Sequence, residues 1–173
     1  MKFNSMGKIY EEIKQTKPFM VHGQEVHVTI LRTADVLKHA VERAMTPFGI
    51  SNEQFNILRI LRGAGESGLP TLEIANRMIS RSPNITRLLD KLIAKKLVKR
   101  IRSRQDRRVV VISITSQGRD LLASLNRVVD EVFEKFPQLT KAETQTLLEL
   151  LDRIREHLAV KTVKELSLEK NLA

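Results

Sequence analysis

The sequence predicts a mainly α-helical fold with one small β-hairpin. Aromatic residues make up only 4% of the 173 residues and Trp is absent, while Leu, Ile, Ala, Lys and Glu are abundant, a composition typical of helical proteins. Apolar residues recur at steps of three and four along most of the chain. One β-branched run, at residues 109–112, departs from that spacing and indicates a strand.

The first long helix is predicted over residues 24–48, because its apolar residues share one face. They are Ile30, Ala34, Leu37, Val41, Met45 and Phe48. Before it lies an extension in which Phe3, Met6, Tyr10 and Ile13 keep helical spacing. That spacing fits a short extra helix, and a loosely ordered tail fits equally well.

A second helix is predicted to begin at Ser51, which forms a capping box with Gln54. The residues of its core face are Phe55, Leu58 and Leu61. Three glycines between residues 63 and 68 end it.

Two short amphipathic helices follow, the first with Thr71 as its N-cap and the second with Ser82 as N-cap and Pro83 in its first turn. The first carries Ile74, Ala75, Met78 and Ile79, and the second buries Ile85, Leu88, Leu89, Leu92 and Ile93. Two such helices joined by about three residues form the helix-turn-helix pattern, whose second helix enters the major groove of DNA.

Strands at residues 98–102 and 108–114 with a charged tip between them predict a β-hairpin after this motif, which is a wing. Thr115 then caps a helix that runs to Pro137, and Thr140 with Glu143 forms the capping box of a last long helix. The fold class is therefore mainly α with a hairpin wing, a winged helix-turn-helix joined to long apolar helices.

The net charge of +10 is concentrated in one segment. From Ser80 to Arg108 there are eleven Lys and Arg residues against two carboxylates, Asp90 and Asp106, a local excess of nine. Such a cluster favours a polyanionic partner, because phosphate neutralisation releases condensed counterions.

Successive helical residues turn by about 100°, so Arg87 points away from the buried face of the second short helix. The predicted DNA-contacting residues of this recognition helix are Ser80, Arg81, Ser82, Asn84, Thr86, Arg87 and Lys91. Those of the wing are Arg102, Arg104, Arg107 and Arg108, since Arg is attracted into a narrow minor groove. Asp106 is predicted to structure the wing through an ion pair with Arg108. The alternative is that these are ordinary surface residues.

These residues resemble the MarR (multiple-antibiotic-resistance) family of regulators. The family's wing has the form Asp-x-Arg, followed by apolar strand residues and Leu-Thr-x-x-Gly. The stretch SRQDRRVVVISITSQGRDLL supplies Asp106, Arg108, Thr115 and Gly118 at that spacing, with Ile114 in place of Leu. SNEQFNILRIL, TLEIANRM and SPNITRLLDKLIAKKLVKR resemble the family's core.

The resemblance implies a homodimer on a palindromic operator of double-stranded DNA, acting as a repressor that a small aromatic or phenolic ligand releases. With the predicted helices it divides the chain into a helical dimerisation region (24–50 and 119–160), a winged lobe (51–118) and a C-terminal tail (161–173), which fits either a helical extension or a frayed end. The N-terminal extension (1–23) departs from the family pattern.

Other functional classes fit the sequence less well. The chain has no Cys and no phosphate-binding glycine loop, so we expect no enzyme, no cofactor and no thiol-based sensing. The four His lack the tight spacing of metal ligands, which disfavours a metal-sensing repressor, although the i, i+5 pair His22 and His27 leaves that alternative open. His39 on the first long helix either lines a ligand crevice or is an ordinary surface or core His. A winged helix that binds only proteins remains an alternative. No apolar run resembles a signal peptide or membrane span, so a cytoplasmic protein without membrane contact is expected.

Overall fold

The structure is a computed structural model that describes residues 7–80, 84–103, 106 and 108–158, with the backbone alone at 159–170. In the described part of the chain the elements are α1 (Lys8–Glu12), α2 (His22–Met45), α3 (Asn52–Gly63), α4 (Thr71–Arg77), α5 (Ile85–Ala94), β1 (Val98–Arg102), β2 (Val110–Ile114), α6 (Ser116–Phe133) and α7 (Lys141–Lys170). Short 3-10 turns lie at Thr46–Phe48 and Gly65–Ser67. The predicted fold class is confirmed. None of the helices described is both long and apolar enough to cross a bilayer.

One apolar core joins the end of α2 to α3, α4, α5, the hairpin and α6. Its fully buried side chains include Met45, Ile57, Leu58, Leu61, Ile74, Leu92, Leu122 and Leu125. Each such side chain contributes roughly 1.5–3 kcal/mol relative to an exposed one. The core therefore holds the helix-turn-helix and the wing in one unit.

Helix α3 begins as its sequence predicts. The Ser51 hydroxyl accepts a hydrogen bond from the Gln54 backbone N–H at 3.3 Å, and the Gln54 carboxamide oxygen accepts one from the Ser51 N–H at 3.2 Å. This reciprocal pair satisfies two backbone donors that the first helical turn leaves unpaired.

The hairpin is antiparallel with Val98 opposite Ile114 and Arg102 opposite Val110. Leu69, before α4, adds a third short segment by exchanging two backbone hydrogen bonds with Ile112, at 2.8 and 2.9 Å. Gly68 precedes it with a φ of +65°, and a Cβ there would lie 2.5 Å from the Ile112 carbonyl oxygen. The sequence predicted only a helix-breaking role for this glycine.

Two helix starts and one apolar assignment in the helix-turn-helix differ from prediction. Helix α4 has Pro70 rather than Thr71 as its N-cap, and α5 has Asn84 as its N-cap. Ser82 and Pro83, with which α5 was predicted to start, lie outside the described residues. Ile79 is 83% exposed instead of buried. The reason is that the backbone leaves the helical conformation at Met78, whose ψ is 138°.

The N-terminal extension contains the short helix α1, packed against α2. Tyr10 is buried, its ring lies 4.9 Å from that of Phe19, and its hydroxyl accepts a hydrogen bond from the Phe19 N–H at 3.2 Å. Glu12 pairs with Arg32 of α2 at 3.3 Å. Phe3 and Met6 lie outside the described residues.

The chain divides into two compact units, Met1–Glu134 and Lys135–Ala173. In the second unit, α7 starts at the predicted capping box, in which the Glu143 carboxylate accepts hydrogen bonds from the Thr140 N–H and hydroxyl at 2.8 and 2.7 Å. The helix continues to Lys170, so of the two alternatives for the C-terminal tail (161–173) the helical extension applies through that residue.

Candidate nucleic-acid interface

Helix α5 has one buried and one exposed face. Leu89 and Leu92 are buried, and Ile85, Leu88 and Ile93 pack partly against the core. Arg87 and Lys91 are exposed, and neither has an ion-pair partner among the described residues. Their guanidinium and ammonium groups are therefore available to a partner outside the chain.

The predicted contact residues fall into three groups. Asn84, Thr86, Arg87 and Lys91 are exposed on α5 or at its N-cap, and Ser80 is exposed after α4. Arg102 ends β1, and Arg108 is 96% exposed in the loop between the strands. The remaining predicted residues, Arg81, Ser82, Arg104 and Arg107, lie outside the described residues.

An ion pair that the sequence did not predict connects the recognition helix to the wing. The Arg100 Nη2 atom on β1 lies 2.7 Å from the Asp90 Oδ1 atom on α5. The sequence identified Asp90 only as one of the two carboxylates within the basic segment. The structure thus brings the helix and the base of the wing together through these two residues.

A second unpredicted contact holds the turn of the helix-turn-helix. The Asn56 side-chain oxygen on α3 accepts a hydrogen bond from the Ile79 N–H at 2.9 Å. Because Ile79 follows the end of α4, this bond anchors the backbone where α4 stops. Only a three-dimensional fold brings these two residues together, so no local pattern could have identified it.

Comparisons with known proteins agree with this geometry. The family model described as transcriptional regulator SarA/Rot matches residues 40–125. The uncharacterized HTH-type transcriptional regulator YpoP of Bacillus subtilis is 36% identical over 110 residues, which cover 61% of this chain and 74% of that protein. The crystal structure of a MarR transcription factor from Planctomyces limnophilus is 33% identical and has a TM-score of 0.57, covering 90% of this chain and all of the other.

The chain belongs to the MarR family of transcriptional regulators. A further solved structure, the MepR–DNA complex of S. aureus, is 25% identical with a TM-score of 0.68 over 76% of this chain and 95% of its own. The protein is accordingly a DNA-binding transcriptional regulator. These relatives give no support to the alternative of a winged helix that binds only proteins.

The MarR wing signature has a local physical basis in this chain. The Asp106 carboxylate accepts a hydrogen bond from the Arg108 N–H at 2.9 Å, and its Oδ1 atom lies 3.8 Å from the Arg108 Nε. The Asp106 carbonyl oxygen also accepts from the Val109 N–H at 2.9 Å. These contacts hold the backbone of Arg108 and Val109 against Asp106. The role of Asp106 in structuring the wing stays a prediction.

Among the described residues, no group of three or more His, Asp or Glu side chains is arranged to hold a metal ion. His39 instead lies between two carboxylates of its own helix, 3.3 Å from Asp35 and 3.2 Å from Glu42.

Proposed function

We propose that this MarR protein binds a palindromic operator as a homodimer, with α5 in the major groove and the wing in the adjacent minor groove. The protein represses transcription from that operator, and a small aromatic or phenolic molecule releases it. One observation carries the proposal. Arg87 and Lys91 are exposed on α5 without an ion-pair partner among the described residues, and the neighbouring wing carries the exposed Arg108.

Different residues have different roles in this proposal. Arg87 is suited to a bidentate contact with guanine, and Asn84 to one with adenine. Lys91 neutralises a phosphate, and Arg108 on the wing neutralises a phosphate or enters the minor groove. Such contacts set the affinity for DNA more than the choice of sequence. The remaining predicted residues are proposed as further contacts: Ser80, Arg81, Ser82, Thr86, Arg102, Arg104 and Arg107.

A homodimer accounts for the apolar surface that a single chain leaves exposed. On α2, Val26, Leu31 and Val36 are between 47% and 57% exposed. On α7, taken by itself, Leu147, Leu148, Leu150 and Leu158 are between 47% and 60% exposed. The four α7 side chains lie within about 160° of the helix circumference, and a contiguous exposed apolar patch of this kind marks an interaction surface. In the proposed dimer the regions 24–50 and 119–160 pair with those of a second copy, which sets two half-sites about 10 bp apart.

The release step rests on the family resemblance. The MarR relatives are transcriptional regulators, which supports a binding role rather than a catalytic one. A protein that binds the DNA of its own cell is proposed to be cytoplasmic.

The test is selection of DNA from the protein's own genome followed by titration. Fragments that the protein retains are sequenced to obtain the operator, and dissociation constants are measured for it and for a scrambled duplex of equal length. The ratio of the two dissociation constants is the operator preference. We expect a preference of at least about a thousandfold and a steep fall of affinity with salt, with a log–log slope of several units.

A Lys91→Gln variant tests the phosphate contact, because removing one such contact should lower the log–log salt slope by about one unit. Sedimentation of the protein with one operator duplex gives the stoichiometry, expected to be two chains per duplex. A salt-independent interaction, or one chain per operator, would contradict the proposal.

A further inference from the structure

We infer that Asp90 and Arg100 are a positioning pair that fixes the recognition helix relative to the wing, and that the pair thereby determines operator preference. The inference rests on the proposed function. Neither residue is assigned a contact with DNA: both act through the placement of α5, whose Arg87 meets the bases.

The pair connects two elements that meet DNA in different grooves. Its 2.7 Å distance spans α5 and β1, which are joined in sequence only by the short connection 95–97. Arg100 lies opposite Ile112 on β2, and Ile112 is itself bonded in both directions to Leu69. The arginine therefore belongs to the anchored base of the wing, where three segments meet.

The position of Asp90 on α5 makes pairing necessary. Asp90 lies three residues after Arg87 and one before Lys91, within the same exposed sector of the helix. An unpaired carboxylate there would repel the phosphates that its neighbours attract. The Arg100 guanidinium binds the Asp90 Oδ1 atom and neutralises the carboxylate. The exposed face of α5 therefore stays cationic, and the helix is connected to the wing.

Because the Asp90–Arg100 pair is exposed to solvent, it should affect DNA recognition more than folding stability. Both side chains are 55% exposed, and exposed ion pairs contribute only about 0.2–1 kcal/mol to folding. The main consequence of the pair is thus expected in DNA recognition, because a recognition helix reads bases only when the backbone contacts set its register.

The experiment compares Asp90→Asn and Arg100→Gln in full-length protein, with the selected operator and the scrambled duplex as probes. Asp90→Asn removes a negative charge, so we expect tighter binding to the scrambled duplex. Arg100→Gln removes a positive charge, so we expect weaker binding to it. Both variants should nevertheless lower operator preference, by roughly tenfold, because both break the pair.

Two further variants provide rescue and control. Arg100→Lys retains an ion pair with Asp90 and should keep most of the operator preference. Glu73→Gln breaks the Glu73–Arg77 pair, which has the same 2.7 Å distance and similar exposure but lies within α4 alone. It should leave operator preference unchanged, and melting temperatures show whether each variant folds.

Three outcomes overturn the inference while leaving the proposed function intact. The first is unchanged operator preference in both Asp90→Asn and Arg100→Gln. The second is an equal loss in Glu73→Gln. The third is a loss confined to one base pair of the operator, which would make Asp90 a direct base-reading residue. If instead the unmodified protein shows no operator preference, the proposed function itself fails.

Discussion

The backbone of Gly118 passes so close to the Leu97 carbonyl group that no side chain fits between them. A Cβ on Gly118 would collide with the Leu97 oxygen and lie 2.9 Å from the Ile114 Cγ1 atom. The same carbonyl oxygen accepts hydrogen bonds from the Thr115 N–H and hydroxyl, both at 3.0 Å. The Thr115 hydroxyl in turn accepts the Gly118 N–H at 3.0 Å. The Thr-x-x-Gly motif thus joins the start of α6 to the start of β1.

We expect Gly118→Ala to destabilise the protein by about 2–3 kcal/mol, because backbone must move to admit the methyl group. Urea unfolding followed by circular dichroism measures the loss. Gly63→Ala is the matched control, since a Cβ at Gly63 meets no atom within 4 Å. That variant should be neutral or slightly more stable. Equal stability of the two variants would show that the close approach at Gly118 is absent in solution.

The sequence predicted the parts of the fold that depend on local chemistry. The capping boxes of α3 and α7 and the cap at Thr115 join residues only three apart, so their hydrogen bonds follow from composition and spacing. The hairpin followed from its β-branched run. For the N-terminal extension, helical spacing indicated α1 as one of two alternatives. That spacing did not show that Tyr10 packs against Phe19.

The parts that sequence analysis missed depend on contacts between distant segments. Asp90 with Arg100, Asn56 with Ile79, and Leu69 with Ile112 are each brought together by the packing of separate elements. No periodicity records such partners. For that reason the exposed cationic residues on α5 and Arg108 could be identified from the sequence, whereas the contacts that hold these elements in position could not.

Lys96 offers a second test, because it adopts a left-handed conformation with a φ of +59°. It follows the C-cap of α5, and the Leu97 N–H bonds the Leu92 carbonyl while the Lys96 N–H bonds that of Ile93. This is the Schellman arrangement that usually contains glycine. We expect Lys96→Gly to raise the free energy of unfolding by about 0.5–1 kcal/mol by relieving the strain of a side chain at positive φ.

The matched variant is Lys96→Ala, which removes the same charge but keeps a Cβ. It should give no gain in urea or thermal unfolding. A gain of equal size in both variants would assign the effect to charge rather than to backbone conformation.

Glu143 gives a prediction about pH. The hydrogen bonds from the Thr140 hydroxyl and N–H to its carboxylate lower the pKa of Glu143 below its ordinary value of 4.5. Since the folded state favours the charged form, this capping contribution is complete above the ordinary pKa and is lost as pH falls through the lowered pKa. NMR titration of the Glu143 side chain should show the lowered pKa directly.

A Thr140→Val variant should return the Glu143 pKa towards its ordinary value, because the largest cause of the shift is the threonine hydroxyl. Glu53 serves as an internal control. Its pKa is lowered chiefly by a hydrogen bond from its own backbone N–H, with help from Ser51 and Lys38 against the opposing effect of burial. The pKa of Glu53 should not move in this variant, and a Glu143 pKa that also stays low would rule out the Thr140 cap as its cause.

The recognition helix and the wing should differ in what their arginines do. Arg87 lies on the exposed face of α5, opposite the buried Leu89 and Leu92. We expect Arg87→Ala to cost about 1–3 kcal/mol in operator binding and to relax sequence choice at one base position in each half-site. Arg108→Ala should weaken binding to operator and scrambled duplex by similar factors, because a phosphate or minor-groove contact carries little base information.

Competition titrations over a set of operators with single base changes separate the two effects. If Arg87→Ala kept the full pattern of base preferences, the assignment of this helix face to base reading would be wrong, and the wing would become the principal source of sequence choice.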